Sequence, residues 1–421
     1  MDVSPEPSWS GSHRPREFLY WRNRDRPWAR ALRSGLRALL GFDPAPPDEL
    51  VRTLAAMYYD ADPLAEAFVD EVYLAQSSAR GRELLDRALA VGIDAMDDAP
   101  ESLRLLFRDI ERAPEWLDAE QVELGARVFR RYGTTVFDFA GAITLAGYSE
   151  SSVAKPLVLS GGYVGQSTKR RFLETAAFWI AVSEPGGLLP GAPGRASALR
   201  VRIMHVFVRR RLLAHPEWDL EAWGVPISQA DALLTLMGGS FAPGVALHAL
   251  GFRTSRREIE ALMHYWRYVG HLMGVRPRWY PETLREAVQL SYVTAVKGAG
   301  RAGEDGRRLC QSYVAAFEPE PTPSLAEKVR RVLEHRLHRA TTRLFLPPWL
   351  YARNGLPPAG LWTLYPLLVF PPLFALETAR RRSPRLEALV DRVARAQRRR
   401  WLLRHLGTER AEYRPSERLT R

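Results

Sequence analysis

A chain of 421 residues, 46% hydrophobic and with a single cysteine, Cys310, is long enough to bury a large core. The lone thiol excludes an internal disulfide framework and any zinc site built from several thiolates. Lys and Arg outnumber Asp and Glu by 60 to 48, a formal net charge of +12, which speaks to acidic partners and solubility rather than to fold. All but four of the cations (Lys155, Lys169, Lys297 and Lys328) are arginines. No basic and aromatic recognition module is legible among them, so nucleic acid is not read as a partner.

Residues 1–45 carry Pro, Ser, Trp and scattered Arg but no apolar run ahead of a small-residue cleavage site. They predict a poorly anchored arm without a secretory signal, and hence a cytoplasmic protein. Helical signals dominate from Pro47 onward. Asp118, Ser228, Ser255 and Ser324 each stand three residues before an amide or acid, at Gln121, Asp231, Glu258 and Glu327; this pairing satisfies the free amides of a helix start. Apolar residues then recur at three and four, as in Ile259, Leu262, Met263, Trp266 and Val269. The chain reads as all-α, one large helical domain over 46–410 with a polar tail over 411–421. Pro- and Gly-rich breaks at 185–194, 297–306 and 318–323 suit inter-helix loops.

Gly298-Ala-Gly-Arg-Ala-Gly303 satisfies a dinucleotide-binding pattern, but helical spacing precedes it where a strand is required, so it reads as a linker. Gly360 to Leu376 is the most apolar stretch, interrupted by Pro366, Pro371 and Pro372 and followed by Arg380, Arg381 and Arg382. It predicts a buried, broken helical hairpin, a peripheral contact with an anionic membrane or a true membrane span.

The sharpest chemical pattern is Arg202-Ile-Met-His205-Val-Phe-Val-Arg209. Positions three before and four after a helical residue share its face, so two guanidiniums flank one imidazole. A haem needs such a set, an imidazole for iron and cations for the propionates, although a helical histidine is more often a satisfied core or surface residue. His264 and His271, seven apart, are too far apart along a helix to share a metal easily, and His335 with His338 reads as a solvated face. No Glu-x-x-His pair of the di-iron bundles is present.

From about Ala146 to Pro277 the chain resembles the family of the latex-clearing proteins and the MpaB-type oxygenases. The segments that carry the resemblance are Arg170-Arg-Phe-Leu-Glu-Thr175, Arg200-Val-Arg-Ile-Met-His-Val-Phe-Val-Arg209, Trp223-Gly-Val-Pro-Ile227 with Thr235 after it, and Trp266-Arg-Tyr-Val-Gly-His-Leu-Met-Gly274. The resemblance implies a globin-like helical core around haem b, with His205 as the proximal iron ligand and Arg202 and Arg209 as propionate partners. It places Arg171, Glu174 and Thr175 on the distal side. Glu174 stands where the rubber-cleaving members have lysine, and Lys155 falls where an ungapped placement expects their acidic base, with Glu150 the nearest acidic substitute. Rubber cleavage is therefore not expected. The implied activity is haem-dependent oxidation, by dioxygen, of an intracellular terpenoid or lipid-like substrate. The alternatives are a non-catalytic haem sensor or carrier and a haem-free helical binding protein.

Overall fold

The computed structural model describes residues 14–160, 166–298, 301–407, 411 and 413, and among them there are helices and no strands. In chain order the helices that matter to the site are α1 (Pro27–Leu40), α2 (Ala119–Arg131), α3 (Thr135–Gly147), α4 (Ser151–Leu159), α5 (Gln166–Ser183), α6 (Pro193–Leu213) and α7 (Gln229–Gly239). They continue with α8 (Arg256–Leu272), α9 (Leu284–Lys297), α10 (Gly303–Ala316), α11 (Leu325–Phe345), α12 (Pro348–Arg353), α13 (Tyr365–Arg380) and α14 (Pro384–Leu406). The all-α expectation holds. So do the four capped starts: Asp118, Ser228, Ser255 and Ser324 accept from backbone amides at the first turns of α2, α7, α8 and α11. The glycine-rich pattern joins α9 to α10, and its residues 299 and 300 lie outside the described residues.

The core is organised on α8. Ile259, Leu262, Met263, Trp266 and Val269 are all buried, and the helix lies along α2. Gly125 permits the crossing: a Cβ there would collide with the Ala261 carbonyl oxygen and with Tyr265 Cβ. Beside the crossing, Arg131 of α2 donates to Glu258 of α8 at 2.6 Å, while Arg380 donates to both oxygens of Glu377 at 2.9 Å and reaches Glu258 at 3.3 Å. This buried four-charge cluster fastens the end of α13 to α2 and α8.

Two expectations are corrected here. The N-terminal segment is anchored well before residue 45: Phe18 and Tyr20 are in the core, Leu19 N–H donates to the Lys297 carbonyl at 2.8 Å, and Asn23 donates to that of Val296 at 2.9 Å. Aromatic residues inside an Arg-rich stretch hid that anchoring. The apolar stretch over 360–376 is not a buried hairpin. Gly360–Arg380 and Gln229–Leu250 are both long and apolar enough to cross a membrane by length and composition, but 6% of the first is buried against 50% of the second. The fully buried residues of α13 are Glu377 and Arg380, so buried ion pairs hold it together with the partial packing of Tyr365 and Leu373 on the core.

Two measurements test these features. Gly125→Val is expected to lower stability by about 1–3 kcal/mol or more in denaturant titration, because neither the Ala261 backbone nor Tyr265 Cβ can retreat without shifting α8. Burial alone would raise the Glu258 carboxyl, but Arg131 and the Ser255 amide hold it down at about 2. Its contribution is thus complete above the unfolded value of about 4.3 and is lost as the pH falls towards about 2. Acid unfolding profiles should show this loss, and Glu258→Gln should flatten it.

Candidate functional site

A cavity of about 1240 Å³ opens between α3, α4, α5, α7 and α9, larger than most small-molecule sites. Its walls are mainly apolar, with Phe137, Ile143, Leu157, Phe172, Trp179 and Leu234 among them. Trp179 has Phe129 and Trp266 edge-on at 5.5 and 5.7 Å, so this wall is continuous with the core of α2 and α8.

One part of the wall is charged. Asp231 and Glu150 both border the cavity. Asp231 accepts from Ser152 Oγ at 2.9 Å and Ser228 Oγ at 2.8 Å. Glu150 pairs with Lys297, whose ammonium also donates to Tyr58 Oη at 2.6 Å. Burial opposes charge on Lys297, but Glu150 and Tyr58 keep it protonated and raise it above its ordinary range. Burial likewise pushes Asp231 up to about 6, against the pull of Lys297 and the two serines. This group can therefore exchange a proton near neutrality, as a group working in acid–base chemistry must.

The predicted site residues distribute unevenly around this space. Thr175 lines the cavity and donates to the Arg171 carbonyl at 2.9 Å, one turn back on α5. Glu174 pairs with Arg170 at 3.4 Å, and neither Arg171 nor Glu174 borders the cavity. Residues 161–165, which precede α5, lie outside the described residues. Lys155 pairs with Asp305 at 2.7 Å, away from the cavity, so of the two positions weighed for the acidic base it is Glu150 that reaches the cavity wall.

His205 sits on α6, which packs along α5. Protein surrounds its ring, yet some of its surface stays accessible, and it has no hydrogen-bond partner among the described residues. Burial, with Arg209 one turn on, pushes it down to about 4. It is thus a neutral imidazole with a free lone pair throughout the physiological range, the chemistry an iron ligand requires. It is not among the residues that line the cavity as bounded here.

The expected propionate partners do not fit that role. Arg202, 1% exposed, donates from Nε and Nη2 to the two oxygens of Asp62 at 2.7 and 2.8 Å, and from Nη1 to Asp109 at 3.3 Å. Arg209 donates to the carbonyls of Pro226 and Ile227 at 2.9 and 2.7 Å and to Glu66 at 3.3 Å. Both guanidiniums are committed within the protein. Arg209 also steadies a strained turn, since Ile227 has φ 54°, a conformation β-branched residues rarely adopt. Of the haem-binding set, then, the imidazole fits and the two arginines are structural.

Sequence reading missed Asp231, Lys297 and Tyr58. Asp231 was legible only as the first-turn acid behind the Ser228 cap, which it also is. A signal for Lys297 existed in its rarity, as one of four lysines among 60 cations. His338, expected on a solvated face, is instead buried, with Nδ1 3.2 Å from Asp138 and its ring stacked on Phe317. His264 is a satisfied histidine, its Nε2 accepting from Asp118 N–H at 3.1 Å.

Residues 130–380 match the family described as ER-bound oxygenase mpaB/B'/Rubber oxygenase, catalytic domain. The chain belongs to this family. The matched span runs from the end of α2 to the end of α13 and takes in His205 and most of the cavity wall. A rubber oxygenase of Streptomyces sp. (strain K30) is 27% identical over 231 residues, 53% of this chain and 54% of that protein. The chain therefore aligns with about half the length of that curated relative. The solved structure of a latex clearing protein in its closed state superposes with a TM-score of 0.59 at 22% identity, covering 82% of this chain and 91% of that one. The superposition shows a shared helical fold.

The charged wall yields a direct test. The native state holds on Asp231 a proton that the unfolded chain releases near pH 4, so this group favours the fold at lower pH and its contribution is lost as pH rises through about 6. Infrared difference titration should show a carboxyl band disappearing with a midpoint near pH 6, and Asp231→Asn should abolish it.

Proposed function

We propose that this protein is a haem b-dependent oxygenase acting on an apolar, terpenoid- or lipid-like molecule, with His205 as the residue that would hold the iron. The observation that carries the reading is the neutral imidazole of His205, without a hydrogen-bond partner among the described residues and set on a rigidly held helix inside the span that matches the oxygenase family. Haem, when bound, supplies dioxygen binding and activation. The chain's own residues do the rest. The apolar walls hold the substrate and exclude water, and Thr175 offers a hydroxyl on the α5 wall. Asp231 and Glu150 supply carboxylates to accept or return a proton at the substrate, and Asp231 titrates in the useful range. Arg202 and Arg209 fix the rotation of α6, and with it the direction of the imidazole, instead of pairing with propionates.

A second reading, a non-catalytic haem carrier or sensor, draws support from α5, where Glu174 replaces the lysine of the rubber-cleaving members and is tied to Arg170. Both readings are tested on purified protein reconstituted with haem. A Soret band is expected, and it should disappear in His205→Ala while the far-ultraviolet circular dichroism is retained. Parent protein that takes up no haem sinks both readings. Where the band is present, oxygen consumption with unsaturated isoprenoids and lipids separates them: turnover supports the oxygenase, and reversible ligand binding without turnover supports the carrier.

A further inference from the structure

Two exposed indoles stand at the mouth of the large cavity. Trp28 of α1 and Trp349 of α12 both line it, and they are 46% and 56% exposed. Each belongs to a surface that is apolar where a water-soluble protein would be polar.

On α1, Trp28, Leu32, Leu36, Leu39 and Leu40 recur at helical spacing along one face, and Ala29 is the helix's one buried residue. Leu39 is 80% exposed. The helix has no acidic residue, and Arg30, Arg33 and Arg37 line its other side. Arg33 is paired with Asp43; Arg30 and Arg37 have no ion-pair partner among the described residues. Leu32 and Leu36 pack partly against the core, while Trp28, Leu39 and Leu40 stay exposed. A basic, acid-free amphipathic helix that leaves part of its apolar face uncovered is the form of an element that lies in a membrane interface.

The second surface begins at α12 and continues through the turn Gly360–Leu364 into α13, tied down by donation from Tyr351 to the Pro357 carbonyl and from Arg339 to that of Pro358. It is inverted relative to a soluble helix. Leu361, Leu367 and Leu368 are 85%, 70% and 79% exposed while Glu377 and Arg380 are buried. Three of its rings each carry a guanidinium: Arg353 at 5.5 Å from the Trp349 centroid, Arg336 at 5.8 Å from Trp362, and Arg253 at 4.8 Å from Phe374. Paired cations and aromatic rings suit the headgroup level of a bilayer.

We propose that the protein seats the mouth of its cavity on an anionic lipid bilayer through α1 and the surface running from α12 to α13. Charge complementarity selects this occupant over a second copy of the chain, because a self-contact would press one arginine-fringed surface of a +12 protein against another. The helix α13 rests on the bilayer and does not span it, since Glu377 and Arg380 are locked to Arg131 and Glu258. An apolar molecule dissolved in the lipid would then enter between Trp28 and Trp349 without crossing water. Only that delivery step rests on the oxygenase reading; the docking does not.

The test is co-sedimentation of the full chain with vesicles of phosphatidylcholine alone and of phosphatidylcholine with about a third phosphatidylserine. Binding is expected to the anionic vesicles, and raising the salt from about 0.1 M to about 1 M should release it. Arg30→Glu with Arg37→Glu should weaken it by about tenfold or more. The combination Leu361→Ser, Leu367→Ser and Leu368→Ser should do so to a similar extent. Both sets of side chains are exposed, so thermal melting should match the parent. Brominated lipid should quench tryptophan fluorescence, and Trp28→Phe with Trp349→Phe should reduce the quenched fraction. Equal binding to both vesicle types, no binding at low salt, or full binding by the charge-reversed variant overturns the proposal. So does a dimer in light scattering that the triple serine variant dissociates. No readout involves haem or turnover, so this proposal and the oxygenase reading fail separately.

Discussion

The burial of two arginines on one helix, one turn to either side of His205, is the constraint on which the site depends. A guanidinium removed from water is costly unless its donors are met. Arg202 meets that cost with Asp62 and Asp109, and Arg209 with Glu66 and the carbonyls of a strained turn. Breaking the Arg202 pair from one side would leave a buried carboxylate uncompensated, a loss of about 3–5 kcal/mol. These contacts reach residues 62, 66, 109, 226 and 227, so helix α6 is gripped by segments far apart in the chain. Its rotation is fixed, and the imidazole inherits a fixed direction from it. Burial, with the Arg209 charge beside it, also disfavours a proton on that ring, so structural and chemical roles come from one arrangement.

The cavity obeys a complementary logic. Aromatic and aliphatic walls continue the core, while the acidic patch at Asp231 and Glu150 is tolerated because every member has a partner: serine hydroxyls for one, an ammonium for the other. Polar groups in a low-dielectric wall hold stably only as such a satisfied set. Tyr58 and Lys297 bring the N-terminal region and the end of α9 into that set. The segment around Phe18, which hydrogen-bonds to Lys297, is therefore part of the site's support and not an appendage.

What could be read from the chain follows the range of the interactions involved. Helix starts at Asp118, Ser228, Ser255 and Ser324 were legible because a cap is written within four residues. The shared face of Arg202, His205 and Arg209 was legible from helical spacing, but the partners of the arginines were not. Asp62 and Asp109 are 140 and 93 residues from Arg202, and nothing local distinguishes a guanidinium aimed at a cofactor from one aimed at a carboxylate. Asp231 carried a local meaning, as the acid three residues after the Ser228 cap, that masked its tertiary one. The stretch over 360–376 misled in the opposite sense, because its apolar composition argues for burial while its prolines and two buried charges leave it outside. His338 and the aromatic anchors Phe18 and Tyr20 were lost among arginines for the same reason: burial is decided by partners the local sequence does not name.

The unequal polarity of the cavity wall has a further consequence. A guest with a long hydrocarbon body and one oxygen-bearing end has two ways to enter, and only one of them lays that end against Asp231 and Glu150. Under the proposed activity, an acidic patch on an otherwise apolar wall would favour one direction of entry over the other, and with it the carbon presented for oxidation.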